Sequence, residues 1–189
     1  MEDSEASWEQ ERARLRERVK ALEPVRMQSR SAGAEIRIAP ATIEEAAIVH
    51  RIMRAAFAEY AGRFDPPSGA FRETVEDVVK AMQEGGAILA WEGSEAAGTA
   101  RFRIEPDHMY VGRVGVLPSF RGRGIGAAIM AYLETIARAI ARPDIRLGTR
   151  QALSGNIAFY QHHGYEITEI RQHPRGTDQI VLFHKKLSE

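Results

Sequence analysis

The residues best suited to chemistry lie in a glycine-rich segment at 121–126. A β-branched run ends at Pro118, the sequence Arg-Gly-Arg-Gly-Ile-Gly follows, and a helical pattern begins directly after it. Glycines let successive backbone N–H groups converge on an anion, and a helix N-terminus adds free donors and partial positive charge. Arg121 and Arg123 place formal charge beside them. The segment therefore predicts a site for a phosphate or pyrophosphate group.

Other interpretations of this segment compete with that one. Residues 122–127 formally satisfy the G-x-G-x-x-A fingerprint of nicotinamide- and flavin-binding proteins. That fingerprint normally follows an early strand directly and has an acid at the end of the next strand. Here three or four strands precede it, and Asp144 comes before the next strand. The Walker pattern fails because the chain has no Gly-Lys-Ser/Thr sequence. A glycine-rich turn without a ligand is the remaining alternative.

A second motif lies at 156–165, where the chain has Asn-Ile-Ala-Phe-Tyr-Gln-His-His-Gly-Tyr. The two motifs together resemble the GNAT superfamily of acetyl-CoA-dependent N-acetyltransferases. That family carries R/Q-x-x-G-x-G/A and, later, an Asn followed by Phe/Leu-Tyr and Gly-Phe/Tyr. The Val-Leu-Pro sequence before the first motif resembles the end of the family's fourth strand. The order of predicted elements matches from about residue 35 to residue 187.

The resemblance implies that acetyl-CoA lies in a wedge between the fourth and fifth strands of the family's fold. Backbone N–H groups within 123–127 would hold the pyrophosphate, and Val114 and Val116 would pair with the pantetheine arm. The family's β-bulge would fall at Gly115 and Val116, where it frees the Val116 N–H to bond the thioester oxygen of the tetrahedral intermediate. The implied cofactor-binding residues are Val114, Gly115, Val116, Arg121, Gly122, Arg123, Gly124, Ile125, Gly126, Ala127, Asn156 and Tyr160.

Tyr160 and Asn156 carry the second half of the implied chemistry. In the family, the short helix after the fifth strand brings a phenol to the thioester sulfur, so Tyr160 would protonate the departing thiolate. The structural alternative makes Tyr160 a core aromatic residue beside Phe159. Many members place the Asn seven positions before the Tyr, where this chain has Leu153. Asn156 either does the same job from a shorter turn or caps the helix.

The base that would deprotonate the attacking amine has several candidates. An amine with a pKa of about 10.4 is almost entirely protonated at pH 7, so a base or a desolvating site must supply the neutral form. Many family members carry a Glu in the middle of the fourth strand, where this chain has Gly112. Glu105, Asp107 and His108 lie nearby; His108 has the most suitable pKa, and an exposed turn histidine is the alternative. The predicted catalytic residues are Tyr160, Val116, Glu105 and His108.

Composition and charge exclude several classes of function. The chain has 26 basic and 26 acidic residues, so it lacks the basic excess typical of proteins that bind nucleic acid or anionic membranes. It has no Cys, which excludes disulfides, thiolate nucleophiles and Cys-ligated metals. Its six histidines have no partners at ligand spacing, so no metal is predicted. The apolar runs are too short for a membrane span, and the first thirty residues lack a signal-peptide pattern, which favours a cytoplasmic protein.

Hydrophobic periodicity predicts one mixed α/β domain over residues 34–189. The predicted order of its elements is β-α-α-β-β-β-α-β-α-β-β, with the longest helix over 122–141. Residues 1–33 form a separate N-terminal extension, which comprises an amphipathic helix and a polar linker over 28–33. Its apolar stripe is Trp8, Leu15, Val19 and Leu22. The stripe packs either on its own domain or on a partner chain, which makes a homodimer one option; an unstructured arm is the alternative.

The sequence therefore predicts an N-acetyltransferase that moves an acetyl group from acetyl-CoA to a primary amine, by direct attack in a ternary complex. The acceptor would be a small molecule, an amino acid or a protein N-terminus, in a pocket shaped by the loop over 60–70. Arg63, Arg101 and Arg103 either meet an acceptor carboxylate there or face water. The alternative is an acyl-CoA-binding sensor or assembly module that has kept the phosphate site and lost turnover. The missing strand glutamate and the displaced Asn favour that alternative.

Overall fold

The computed structural model describes residues 2–29 and 34–188, which form a mixed α/β structure. The helices in this part of the chain are α1 (Glu2–Lys20), α2 (Ala46–Phe57), α3 (Val75–Glu84), α4 (Ile125–Ala139) and α5 (Ser154–His162). The strands are β1 (Val25–Gln28), β2 (Glu35–Pro40), β3 (Gly85–Glu92), β4 (Glu95–Ile104), β5 (Met109–Val116), β6 (Asp144–Arg150), β7 (Glu166–Gln172) and β8 (Gln179–Lys186). From β2 onward the predicted order is confirmed.

The strands form one sheet in the order β1-β2-β3-β4-β5-β6-β8-β7. Neighbouring strands are antiparallel except for β5 and β6, which are parallel. Only the first part of β5 pairs with β6, from Met109 opposite Ile145 to Val111 opposite Leu147. Beyond those residues the two strands separate, so the sheet opens into a wedge at the C-terminal ends of both strands.

Helices cover both faces of the sheet, because its central strands are apolar on both sides. In β3, Ala87 and Leu89 pack with α2 and α3, while Ile88 and Ala90 belong to the cluster that contains α1 and α4. This follows from the alternation of side chains along a strand. The buried residues of α4 are Ile125, Ala128, Ile129, Met130, Tyr132, Leu133, Ile136 and Ala137. Helix α4 is thereby fixed against the sheet beside the wedge.

The N-terminal helix packs on the same domain. Leu15 and Val19 are buried in the main core, and Trp8 and Leu22 pack against it, as the predicted stripe requires. The Tyr132 hydroxyl donates to the Glu23 carbonyl oxygen at 3.2 Å, which joins the segment after α1 to α4. The division of the chain at residue 33 stays a prediction.

The predicted elements differ from the observed ones most clearly in two places. Strand β1 is missing from the prediction, which assigned its last residue, Gln28, to a linker over 28–33; residues 30–33 of that linker lie outside the described residues. Helix α4 starts at Ile125 instead of residue 122, because Gly122 and Gly124 adopt left-handed backbone conformations.

Among the described residues, no helix is both long and apolar enough to cross a membrane.

Candidate active site

A cleft of about 850 Å³ lies where β5 and β6 separate. Its walls are the second half of β5, the glycine-rich loop with the first turn of α4, helix α5 and the end of β6. The end of α2 also belongs to the wall, and residues from two loops, 60–69 and 173–175, line the other end of the cleft. The predicted loop over 60–70 is therefore part of the cleft, with Tyr60, Phe64, Ser68 and Gly69 in its wall.

The glycine-rich loop delivers backbone donors to one end of this cleft. Gly122 and Gly124 have φ values of +76° and +89°, which only glycine adopts without strain. Gly124 is the N-cap of α4, and no side chain caps that helix. The first N–H groups of α4 are therefore left without side-chain partners, next to the positive end of the helix dipole. This arrangement suits a bound anion.

The two arginines of the loop are held by carboxylates. Arg121 pairs with Glu59 and donates to the carbonyl oxygens of Val116, at 3.1 Å, and Ala56, at 3.3 Å. It lies in the cleft wall and joins the end of β5 to α2. Its contact with Val116 uses that residue's carbonyl oxygen, so the N–H of Val116 is the group left for a ligand.

Arg123 points away from the cleft. Its guanidinium pairs with the buried Glu92, donates to the Ser119 carbonyl oxygen at 2.7 Å and lies over the Phe120 ring. The expectation that the Arg123 side chain supplies charge to the anion site is wrong, because Glu92 neutralises it on the other side of the loop. Arg123 therefore contributes to the loop's conformation.

The β-bulge of β5 lies two residues earlier than predicted. Thr99 pairs with Gly115 and Arg101 with Gly112, so the single residue between them on β4 faces both Arg113 and Val114. Arg113 has a φ of +54°, the left-handed conformation of the bulge. Gly115 lies outside the bulge, and the close approach of α2 accounts for the glycine there. A Cβ at this position would lie 2.8 Å from the Cβ of Ala56.

Backbone groups of Val116 and Val114 face the cleft. The Leu117 N–H donates to the Ala97 carbonyl oxygen, 2.9 Å away on the β4 side. Successive residues of an antiparallel strand direct their backbone groups alternately to the two sides. The N–H of Val116 therefore points toward β6, into the wedge, and that of Val114 follows on the same side. Both residues line the cleft.

Tyr160 and Asn156 lie together on α5, in the cleft wall. Tyr160 is 8% exposed, and burial raises the pKa of its phenol well above the ordinary value, with Tyr60 and Tyr110 adding to the rise. Asn156 is inside the helix, whose N-cap is Leu153, and donates from Nδ2 to Thr149 Oγ1 at 3.4 Å. Asn156 is thus not a helix cap, and its amide lies at the cleft.

Glu105 and His108 are not brought to the cleft. Both residues precede Met109, at the N-terminal end of β5, where this strand pairs with β6. Neither residue lines the cavity. His108 Nδ1 is 2.7 Å from Asp107 Oδ1, and Glu105 pairs with Arg103. The wedge opens at the other end of β5, so both residues are too early in the strand to serve as the base.

The far end of the cleft is closed by a set of contacts that the sequence analysis missed. We call Asp65, Arg150, Thr177 and Asp178 the loop clamp. Asp65 Oδ2 accepts from the N–H and Oγ1 of Thr177, at 2.8 and 2.7 Å, and the Asp65 N–H donates to Asp178 Oδ2 at 3.0 Å. Arg150 donates to Asp178 Oδ2 at 3.2 Å and to the Pro66 carbonyl oxygen at 2.8 Å. The clamp ties the loop after α2 to the loop between β7 and β8.

Comparison with known proteins identifies the family. The family model described as "Acetyltransferase (GNAT) family" matches residues 49–165, more than half of the chain. The chain belongs to the GNAT acetyltransferase family. A curated relative, "Uncharacterized N-acetyltransferase YjcF" of Bacillus subtilis, is 28% identical over 92 residues. That match covers 49% of this chain and 64% of the relative, less than two thirds of its length.

Solved structures of the GNAT family share the fold at low sequence identity. The GNAT domain of S. lividans PAT is 19% identical, with a TM-score of 0.68 over 87% of this chain and 97% of that one. A GNAT family acetyltransferase from Elizabethkingia anophelis, solved with acetyl-CoA bound, is also 19% identical, with a TM-score of 0.63 over 80% and 98% of the two chains. These likenesses confirm the fold class that the motifs implied.

The loop clamp of this GNAT protein is testable without a substrate. Hydrogen bonds from Thr177 hold the pKa of Asp65 below its ordinary value, so the carboxylate is charged at neutral pH. Asp65→Ala removes the acceptor of the Thr177 N–H, and we expect amide hydrogen exchange at Thr177 to rise on the order of tenfold. The matched control is Asp107→Ala, which removes an exposed Asp that bonds His108 and Arg146 elsewhere. Equal exchange at Thr177 in both variants would contradict the clamp.

Proposed function

We propose that this protein transfers the acetyl group of acetyl-CoA to a primary amine, by direct attack within a ternary complex. The observation that carries the proposal is the wedge itself. An anion site with uncapped helix donors lies at one end of the cleft, a closed compartment lies at the other, and β5 runs between them. The acetyl-CoA in the related structure from Elizabethkingia anophelis supports the choice of donor.

The residues present fit coenzyme A. Gly122 and Gly124 hold the loop in left-handed conformations, and a Cβ at Gly126 would lie in ordinary contact with Phe159, 3.5 Å away, which leaves little free space above the helix. The backbone N–H groups within 124–127 would hold the pyrophosphate. Val114 and Val116 would bond the pantetheine arm along β5. Bound acetyl-CoA supplies an activated thioester, and the Val116 N–H is the donor that the chain offers to its carbonyl oxygen.

Tyr160 is the group that we assign to the leaving sulfur. The phenol is protonated at neutral pH, and burial raises its pKa further, so it has an O–H to donate in a hydrogen bond to the leaving sulfur. The chain has no Cys, and the proposal therefore routes the acetyl group directly to the acceptor amine, without a thioester to the protein.

The attacking amine would lose its proton without a carboxylate base. Within the described residues, the cleft wall contains no Asp or Glu, while Arg113, Arg121 and Arg150 belong to it. Each of these arginines pairs with a carboxylate outside the lining, so the guanidinium groups lie nearer a bound amine than the carboxylates do, and they lower the pKa of the amine only to the extent of that difference. The site would thus favour the neutral amine by its electrostatics, with the proton leaving to solvent.

The absence of Asp and Glu from the described cleft wall also supports a second candidate function, that of an acyl-CoA-binding sensor. Calorimetric titration with acetyl-CoA and thiol release with a panel of primary amines separate the two. We expect binding and amine-dependent release of coenzyme A. Binding without release for any amine would favour the sensor, and no binding would contradict both. The acceptor's identity, a homodimer and a cytoplasmic location stay predictions.

A further inference from the structure

The end of the cleft opposite the glycine-rich loop, which we call the acceptor end, is lined by basic side chains. Arg113, Arg150 and Arg175 line it, and no Asp or Glu does so among the residues that the structure describes. We propose that the acceptor amine carries a carboxylate, as a free amino acid does, and that polyamines are excluded. This inference rests on the proposed function and names the substrate class of the same site.

Two of the three arginines already have carboxylate partners behind the cleft wall. Arg113 donates from Nε to Glu73 Oε1 at 2.9 Å, and Arg150 pairs with Asp178 at 3.2 Å. Glu73 and Asp178 are themselves outside the cleft lining. These pairs are nearly neutral overall, and in each pair the arginine lines the cavity whereas the carboxylate does not. They give the acceptor end hydrogen-bond donors suited to a carboxylate.

Arg175 supplies a guanidinium that no carboxylate pairs with directly among the described residues. It lies in the loop between β7 and β8, and its side chain forms no ion pair or hydrogen bond with the described residues. Its guanidinium is close enough to His173 to lower the pKa of that imidazole. The acceptor end therefore offers one guanidinium without a direct carboxylate partner, while the charged Asp65 of the loop clamp balances it at longer range.

His173 adds a neutral donor at the same place. The backbone N–H of Arg175 donates to His173 Nδ1 at 3.1 Å, so in the neutral ring Nε2 carries the proton. Burial, Arg150 and Arg175 lower the pKa of His173, in that order, which favours this neutral form. His173 thus has an N–H to offer to an acceptor oxygen.

The charge of the reacting acceptor matches this environment. An amino acid whose amine is neutral, the form that attacks, carries one negative charge on its carboxylate. That charge complements the free guanidinium of Arg175. A polyamine carries further positive charges. The three guanidinium groups would repel them, and the described lining has no carboxylate to pair with them. The loop clamp holds Arg150 and the loop of Arg175 in place around this compartment.

The test compares acceptors that differ only in the carboxylate. Release of coenzyme A by the full chain is measured with each of the twenty amino acids, with the matching amino acid amides and with spermidine. We expect kcat/KM for at least one free acid to exceed that of its amide by tenfold or more, and spermidine to be inactive. Arg175→Gln should raise KM for the acid on the order of tenfold and leave the KM of the amide unchanged.

Arg171→Gln is the matched control, because Arg171 is exposed on β7, faces Glu169 at 3.9 Å and does not line the cleft. It should leave both KM values unchanged. A second readout is calorimetric binding of the N-acetylated product and of its amide in the presence of coenzyme A, where only the acid should bind and Arg175→Gln should weaken it.

The outcomes separate the inference from the proposed function. Turnover that is equal for acids and amides, or that is best with spermidine, would overturn the carboxylate and leave the acetyltransferase proposal intact. An Arg175→Gln variant that slows acid and amide alike would also overturn it. No release with any amine would overturn the proposed function, and the inference with it.

Discussion

Gly126→Val is expected to abolish binding of acetyl-CoA in a calorimetric titration, at ligand concentrations that saturate the unaltered protein. Gly126 lies in the first turn of α4, where the free N–H groups of the helix face the cleft. A Cβ there would already touch Phe159 at 3.5 Å and Val116 at 3.9 Å. The two further methyl groups of valine have to extend into the cleft, where they exclude a pyrophosphate from the backbone donors.

The matched control is Ala131→Val, which places the same residue at an exposed position of the same helix. Ala131→Val costs about 0.5 kcal/mol of helix propensity, whereas Gly126→Val gains a few tenths of a kcal/mol, on the order of 0.3, because glycine is the poorer helix former. Thermal unfolding should therefore show similar stability, whereas only Gly126→Val loses the ligand. Retained affinity in Gly126→Val would mean that the anion site is not at the start of α4.

The backbone conformation of the proposed anion site could be predicted from the sequence because it is local. One short segment includes the end of a strand, three glycines and the start of a helix, and these determine nearly all of the site's backbone geometry. In the structure, Gly122 and Gly124 adopt the left-handed conformation that this segment requires. The same is true of the element order, which hydrophobic periodicity determines. Tyr160 needed the family resemblance as well, because an aromatic residue in a short helix is equally typical of a core.

Side-chain partners could not be predicted from the same segment. Arg123 turns to Glu92, and Arg121 to Glu59, because both acids lie on elements that only the folded sheet brings near the loop. The family resemblance implied a bulge at Gly115 and Val116, but the bulge lies at Arg113, and Gly115 is instead the residue where α2 crosses β5 closely. A glycine in a strand indicates either a bulge or a close approach, and the sequence does not distinguish them.

The acceptor end was the least predictable part. The loop clamp joins Asp65 to Thr177 and Asp178, across more than a hundred residues, and no periodic pattern marks these positions. From the sequence, Arg63, Arg101 and Arg103 either meet an acceptor carboxylate or face water. Arg101 instead pairs with Glu73 away from the cleft, and Arg103 pairs with Glu105. The arginines that line this end are Arg113 on β5, Arg150 on β6 and Arg175 in the loop between β7 and β8.

Tyr160→Phe is expected to lower kcat on the order of 10- to 100-fold while affinity for acetyl-CoA stays the same. The phenol would protonate the departing thiolate, an interaction made mainly in the transition state, and solvent can replace it in part. Phenylalanine retains the ring contacts with Phe159, Tyr165 and Phe183, whose centroids lie 5.4 to 6.0 Å away. Stability should therefore change little.

Tyr165→Phe provides the matched control, since Tyr165 is buried beside Tyr160 and lies outside the cleft lining. Its hydroxyl donates to Glu134 Oε1 at 3.4 Å, on the side away from the cleft. Both variants lose one buried hydroxyl, but only Tyr160→Phe loses a group that faces the reaction. With an acceptor whose chemical step limits the rate, equal kcat values in the two variants would make Tyr160 a core aromatic residue. A lower kcat in Tyr160→Phe alone, with unchanged binding, would assign the proton of the leaving thiol to this phenol.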